Sequence, residues 1–432
     1  MDLHCLTPDA IDALMEPHRV VIEQRLRTAP PGIGVAPLLA PPPDARSIYG
    51  TPYENHLETG HFTLNWAGGL DYADGAERAG AALEAGWDVL VTTAGWTPPV
   101  GSDRYYIWVF LVDDLGGTGL TTEYFTDEFP DGYPVIYLNG YWARDAPFWS
   151  SLAVHELHHA LQFARRDWAG GVDDEAWYWE ASANWASVLV EPDSVAFDYT
   201  VPWYGDQAAL PYGSMAGSHQ YGMFVLNGWL DTVGVGPATM QAVWAAASSR
   251  PEDDWKSLLV DATGLEAGAL WSGFAAAFGN DTYSRGEWWP DPTSQIVASD
   301  VEYTDSAAEL GTVYYWVAQN MEIDVRMQSG QGITVTFPGM TGDAPWFVPA
   351  GTTVAVTTTE GTHANWVLEA HAVGFEEEDS GSDSGAVEAE GPEARVCGCA
   401  AVLPGAWAWV PVATGFWAQA RRRRHTGRPH AQ

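Results

Sequence analysis

Cysteine and positive charge are scarce in this 432-residue chain: it has 3 Cys, and 19 Lys+Arg stand against 57 Asp+Glu, a formal net charge of −38. A field of that sign repels phosphate backbones at every distance that matters, which excludes nucleic acid as a partner. The excess is not confined to one tail. With the eight acids from Glu376 to Glu393 and the six arginines beyond them set aside, residues 1–375 still carry 49 acids against 13 bases. Such a body suits a soluble protein working outside the cytoplasm. Cys5, Cys397 and Cys399 lie near the two ends, so no disulfide among them staples the middle of the chain. Stability has to come from packing, and the means are present: 23 Trp, 18 Tyr and 14 Phe, with charged residues at only 18%. At this length, that composition excludes a disordered chain, a disulfide-stapled miniprotein and a lone small binding module.

Periodicity divides the chain into five stretches. Residues 1–45 hold a short helical pattern (Pro8 to Leu26) and a Pro-rich linker ending at Pro41-Pro42-Pro43. Residues 46–290 mix strands with helices. The strands are His61 to Trp66, Tyr105 to Val112 and Pro134 to Asn139, the last beyond a Gly/Asp/Thr loop. The helices are Asp74 to Thr92, Phe148 to Arg166 and Glu175 to Val190, with helical segments dominating onward to Gly279. From Val301 to Val373 the period changes to two. Thr312 to Val317, Glu322 to Met327, Ile333 to Phe337, Thr352 to Thr357 and Trp366 to Ala370 read as short strands of a small β-sandwich over 300–374. The expected fold class is therefore α+β: a small mixed sheet with helices, a stretch dominated by helices, then the sandwich. Residues 375–396 form an acidic low-complexity linker with too little apolar surface to fold. In 397–432, Cys397-Gly-Cys399 precedes the charge-free Ala400 to Ala420 and the cluster Arg421 to Arg424. That order reads as a membrane segment whose basic end stays in the cytoplasm, although Pro404 and Pro411 interrupt it.

The chemistry-bearing residues gather in Ser150-Ser-Leu-Ala-Val-His155-Glu156-Leu-His158-His159. His155 and His159 are four apart in a helical pattern, so both imidazoles lie on one face and can converge on one cation. Glu156 sits beside that face, where it can take a proton from an activated water. His158 points away and reads as a surface histidine or an outer support. The motif needs a third ligand. Trp177-Tyr-Trp-Glu180-Ala-Ser-Ala-Asn184 follows, with twenty residues between His159 and Glu180. A loop (Asp167 to Asp174) and a second, antiparallel helix bring Glu180 back over the pair. Asp173, Asp174 and Glu175 compete for the role, but they fall where acids favour a helix N-terminus through its dipole. Glu180 lies in an apolar, Trp-flanked helix, where an unpaired carboxylate is costly and a bound cation explains it. Two neutral imidazoles, a carboxylate and a water make a tetrahedral Zn²⁺ site with an open position. Asn184, one turn after Glu180, shares its face and can hold a ligand imidazole. Trp177, Trp179 and Trp185 read as core.

Together these segments resemble the gluzincin class of zinc metallopeptidases, which joins H-E-x-x-H to a following helix bearing E-A-x-A, here Glu180-Ala-Ser-Ala183. The resemblance covers roughly residues 49 to 280 and departs at Asn184, where that class often has Asp. It implies zinc as cofactor, a protein or peptide substrate, and Pro134 to Asn139 as the edge strand that pairs with extended substrate. It also implies a Tyr or His oxyanion donor near Ser218-His219-Gln220-Tyr221, with Tyr221 first, His219 behind it and Tyr212 third. The Cys-Gly-Cys, apolar span and arginine cluster resemble the C-terminal sorting tails of myxobacterial-type surface proteins, which implies a surface-tethered product. Met1-Asp2-Leu3-His4 shows neither a basic n-region nor a nearby apolar run, in conflict with that export unless translation starts further upstream.

No Walker loop, dinucleotide fingerprint or G-x-S-x-G appears, and Gly116-Gly-Thr-Gly119 lacks the context of a phosphate loop. The expectation is a secreted or surface-tethered zinc endopeptidase with Glu156 as its base. The rivals are a non-catalytic surface adhesin with a structural metal and a zinc hydrolase of a non-peptide bond. An intact Glu156 beside an open coordination position favours catalysis.

Overall fold

Ile107-Trp-Val-Phe-Leu-Val112 is apolar at every position, and such a strand has to be covered on both faces. It becomes β3 (Ile107–Val112), the centre of a five-stranded sheet with β1 (Asn55–Glu58), β2 (Phe62–Trp66), β4 (Gly119–Tyr124) and β5 (Tyr133–Asn139). The computed structural model describes residues 53–373, apart from 114, 116, 125–128, 131, 166–172, 193, 195–196, 236–237, 251–252, 282–291, 293 and 341. The strand order is β1-β2-β3-β5-β4. β2, β3 and β5 run parallel, and β1 and β4 are antiparallel on the two edges. On one face Leu64, Val109, Ile136 and Leu138 join the main core. On the other, Trp108, Phe110, Val135 and Tyr137 form a separate aromatic-rich cluster.

α1 (Ala73–Gly86), continued by a wider turn over Trp87–Thr93, and α2 (Ala146–Phe163) cover the first face. Asp145 caps α2, its side chain accepting from the Phe148 amide, and a proline stands in the first turn, where no N–H is needed. α3 (Asp173–Val190) is buried nearly all round, as expected of a core helix; Glu180 and Asn184 are two of its few less buried residues. α4 (Phe197–Gly205), α5 (His219–Gly222), α6 (Val225–Leu230), α7 (Ala238–Ser249), α8 (Trp255–Thr263) and α9 (Ala267–Gly279) complete the helical half.

The second sheet contains β6 (Ser294–Val297), β7 (Val301–Ala308), β8 (Thr312–Val317), β9 (Met321–Thr336), β10 (Trp346–Val348) and β11 (Thr352–Ala372). Its order is β10-β9-β11-β8-β6, with β7 also paired to β11. Here the sequence expectation needs correcting. The segments read as four of the short sandwich strands are two long ones, of 16 and 21 residues, which run through the whole of a single sheet. The turn signals between them, Gly330, Gly332 and Gly361, adopt positive φ where β9 and β11 slip in register between Glu360 and Ala364. Glycine there bends the ladder without ending it. The Trp366 indole on one side of that bend donates to Tyr315 on β8 (2.9 Å), and the residues between form a second core. The sheet is also joined to the helical half. Asn280 exchanges two hydrogen bonds with the backbone of Thr353 (3.0 and 3.1 Å), and Tyr314 and Ala355 belong to the main core.

A second correction concerns the edge of the first sheet. Pro134 to Asn139 is not an edge strand, because β5 pairs with β3 on one side and β4 on the other. The edge belongs to β4, which lies inside the stretch read as a Gly/Asp/Thr loop. The helical pattern and Pro-rich linker expected in residues 1–45, the acidic linker and the C-terminal tail lie outside the described residues. Among those described, no helix is long and apolar enough to cross a membrane.

Candidate metal centre

α2 and α3 run antiparallel, because the index on one falls as the other rises along their contacts. Ser187 Oγ donates to the Ser151 carbonyl (2.9 Å), His155 meets Asn184 (2.8 Å), and Gln162 Nε2 donates to the Trp179 carbonyl (3.0 Å). This hairpin brings His155, His159 and Glu180 together, with one ligand atom of each within 4.8 Å of the others. The two Nε2 atoms are 3.0 Å apart, and Glu180 Oε2 stands 3.0 Å from that of His155 and 3.5 Å from that of His159.

The hydrogen bonds around this triangle fix its proton content. Asn184 donates through Nδ2 to the Tyr221 carbonyl (2.9 Å), so its Oδ1 is the atom facing His155 Nδ1. Gln162 likewise donates through Nε2 to the Trp179 carbonyl and Ser182 Oγ, leaving Oε1 to face His159 Nδ1 at 2.6 Å. An amide oxygen only accepts, so both imidazoles carry a proton on Nδ1, and each ring in its neutral form presents its lone pair at Nε2. Two lone pairs and a carboxylate oxygen then converge on one point. Glu180 Oε2, although buried, has no hydrogen bond of good geometry. Such a cluster is repulsive unless something positive sits in it. Four donors placed tetrahedrally at zinc bond lengths stand about 3.3 Å apart, close to the edges found here. The donor set therefore fits a divalent ion such as zinc.

Protons respond to the same field. Burial alone would raise Glu180, but the charge on His159 and the two imidazoles close beside it outweigh it and hold the carboxyl at about 2. Burial would lower His159, but the Glu180 carboxylate outweighs it and lifts the imidazole to about 9. Without an ion, a second proton on His159 supplies the positive charge between the imidazoles and Glu180; a metal ion that displaces it leaves the Nε2 lone pair free to bind.

Glu156 is buried, next to His155 but outside the triangle. Burial raises its pKa, against the pull of His159 and His155 and the hydrogen bond with Thr121. Thr121 Oγ1, on β4, lies 2.8 Å from the Glu156 carboxylate and 2.8 Å from its carbonyl. Tyr221 is also brought in, its ring centroid 6.3 Å from that of His155. The Glu180 carboxylate, then burial, push its hydroxyl well above the usual tyrosine range, so it stays protonated and able to donate.

The alternatives to Tyr221 fall elsewhere. His219 is fully buried against Tyr204, and burial lowers it to about 4. Tyr212 packs edge-on against Trp177 and Trp271 beneath Lys256. His158 is not a surface residue: it has no exposure, meets the Trp96 ring edge-on at 4.5 Å, and is held neutral by burial. The one-residue offset from the motif face turns it into the core between α2 and the Trp96 segment. Sequence reading missed Gln162 and Thr121. Gln162 had a signal, since i+3 from a ligand histidine shares its helix face. Thr121 had none, because its partner is 35 residues away.

A scan against protein-family models finds no match for this chain, and neither does a search of the curated proteins.

Proposed function

We propose that this protein is a zinc-dependent endopeptidase centred on His155, His159 and Glu180. The observation that carries the reading is the pairing of three converging acceptors with a buried carboxylate, Glu156, that stands beside them and is not one of them. A purely structural site has no use for that carboxylate. The ion held here would supply Lewis-acid polarisation of the scissile carbonyl and acidify a water.

The remaining work falls to the chain. Glu156 takes the proton of the attacking water and returns it to the leaving amine as the C–N bond breaks; a raised carboxyl suits both directions. The Tyr221 hydroxyl donates to the oxygen that becomes negative. β4, the terminal strand of its sheet, offers main-chain groups for an extended peptide. The gluzincin likeness supports this division of roles, and the acidic composition and the tail of residues 397–432 extend the proposal to a secreted or surface-tethered enzyme.

Glu156→Gln tests the proposal. It preserves size and leaves all three ligands, so zinc content should stay at one per chain while cleavage of a mixed peptide library falls by about 100-fold or more. Wild-type cleavage by the variant would sink the proposal and favour a binding protein.

A further inference from the structure

We propose that β4 positions the base as well as the substrate: the side-chain face of Gly119 and Thr121 holds Glu156, while the main chain of the same two residues faces the peptide. Pairing of an extended substrate along that edge then sets where the Glu156 carboxylate stands. The inference rests on the peptidase reading above.

Register supplies the first step. Gly119 and Thr121 pair with Leu138 and Ile136, whose side chains belong to the core shared with α2. Cross-strand partners share a face, so positions 119 and 121 look toward that helix. Both meet Glu156 there. A Cβ on Gly119 would stand 2.3 Å from Glu156 Oε1 and 2.8 Å from its Cδ, so the carboxylate occupies the space that only glycine leaves. Thr121 has one hydroxyl proton and two acceptors at 2.8 Å, the Glu156 carboxylate and the Glu156 carbonyl. It therefore ties the side chain to the backbone of the same helical residue.

The ladder supplies the second step. The Asn139 amide donates to the Thr118 carbonyl at 2.9 Å, which marks 118/139 as a hydrogen-bonded pair. In an antiparallel ladder such pairs alternate, so 120/137 and 122/135 also bond inward. The amides and carbonyls of Gly119 and Thr121 point the other way, to the edge where no strand pairs among the described residues. Two residues thus carry both contacts. A peptide that orders their backbone cannot leave their side chains, or the group wedged against them, unaffected.

The ligand histidines are held by other residues, the side-chain amides of Asn184 on α3 and Gln162 on α2. Disturbing β4 should therefore move the base without loosening the metal. The experiment compares zinc-loaded full-length wild type with Thr121→Val, Thr121→Ser and Gly119→Ala. Two readouts are used: the carbon-13 resonance of the Glu156 side-chain carboxyl, assigned through Glu156→Gln, and kcat and KM on a short peptide and a longer one that reaches along the edge.

Thr121→Val is expected to shift the Glu156 resonance and cut kcat on the long peptide by about tenfold, the weight of one aligned hydrogen bond, with zinc content unchanged. Thr121→Ser should restore both. Gly119→Ala should do more than Thr121→Val. An uncleavable long peptide should move the Glu156 resonance in wild type and not in Thr121→Val, and the gain in kcat from lengthening the substrate should shrink in the variant.

An unmoved Glu156 resonance in both Thr121→Val and Gly119→Ala would overturn the positioning role whether or not peptides are cleaved. A loss of kcat equal on short and long peptides would overturn the coupling to substrate. If no peptide binds or is cleaved while Thr121→Val still shifts the resonance, the peptidase reading and the coupling fail together and only the clamp on Glu156 survives.

Discussion

In the second sheet the Trp366 indole donates to the Tyr315 hydroxyl (2.9 Å), Tyr315 donates to Asp305 (2.6 Å), and Asp305 also accepts from Gln295 (2.9 Å). Between the helices a similar chain starts at Trp244, which donates to Ser182 Oγ (3.1 Å); Ser182 also accepts from Gln162 (2.9 Å), and Gln162 faces His159 (2.6 Å). Both chains begin at a buried tryptophan. The first ends in a carboxylate that absorbs every donor offered to it. The second ends in the Nε2 atoms of His155 and His159, which face each other and Glu180 across 3.0 to 3.5 Å. Buried polarity is thus no sign of function in itself, since a closed network only ties elements together. Acceptors that converge with no donor between them are what call for a ligand.

That contrast can be broken at either end. The largest effect should come from Glu180→Gln, which removes the only charged ligand. Zinc affinity, read by competition with a chromogenic chelator, should fall by more than the roughly 100-fold expected of outer residues. Undiminished zinc content would remove Glu180 from the ligand set. Gln162→Ala comes next, because it frees the His159 ring and leaves Ser182 and the Trp179 carbonyl short of a donor. A loss of about 10- to 100-fold in zinc affinity is expected from the same titration. No change there would mean that packing alone orients the imidazole.

The closed network should answer in stability instead. Tyr315→Phe deletes one hydroxyl that serves the buried Trp366 and the half-buried Asp305, and about 1–3 kcal/mol should be lost in denaturant unfolding with zinc content unchanged. A fall in zinc content would show that the two networks are linked.

The smallest effect concerns a third site, where Glu84 accepts from Thr59 (2.6 Å) and the His61 amide (2.7 Å) and meets the His61 ring (2.7 Å). Burial raises this carboxyl, but those hydrogen bonds outweigh it and leave it below its ordinary value. A depressed carboxyl contributes stability above its unfolded pKa and loses it as pH falls through the folded one. Glu84→Gln should therefore cost about 1 kcal/mol at neutral pH, and its melting curve should converge with wild type in acid. Curves that stay parallel down to pH 2 would assign the acid loss to other groups.

Much of the metal centre was legible because it obeys helix spacing. His155 and His159 are four apart, and so are Glu180 and Asn184, so each pair shares a face before any tertiary contact forms. The strands of the first sheet were legible wherever they were apolar throughout, as in β3 and β5. β4 was not: Gly119-Leu-Thr-Thr-Glu-Tyr124 has the composition of a turn, and it becomes a strand because β5 supplies its ladder. The glycines within β9 and β11 misled in the opposite sense, because a bend and a turn demand the same positive φ.

By itself, the sequence determined the donor set, the helical frame that spaces it and an acidic, aromatic-rich body with no cysteine between residues 6 and 396. These follow from residue type and from spacings of three and four along a helix, which act within a turn. The tertiary structure decided which strand lies at the sheet edge, which amides orient the imidazoles and what holds Glu156. Each of those is a contact between elements such as β4 and α2, whose partners are far apart in the chain. Their pairing is selected by packing the whole core, and no local pattern encodes it.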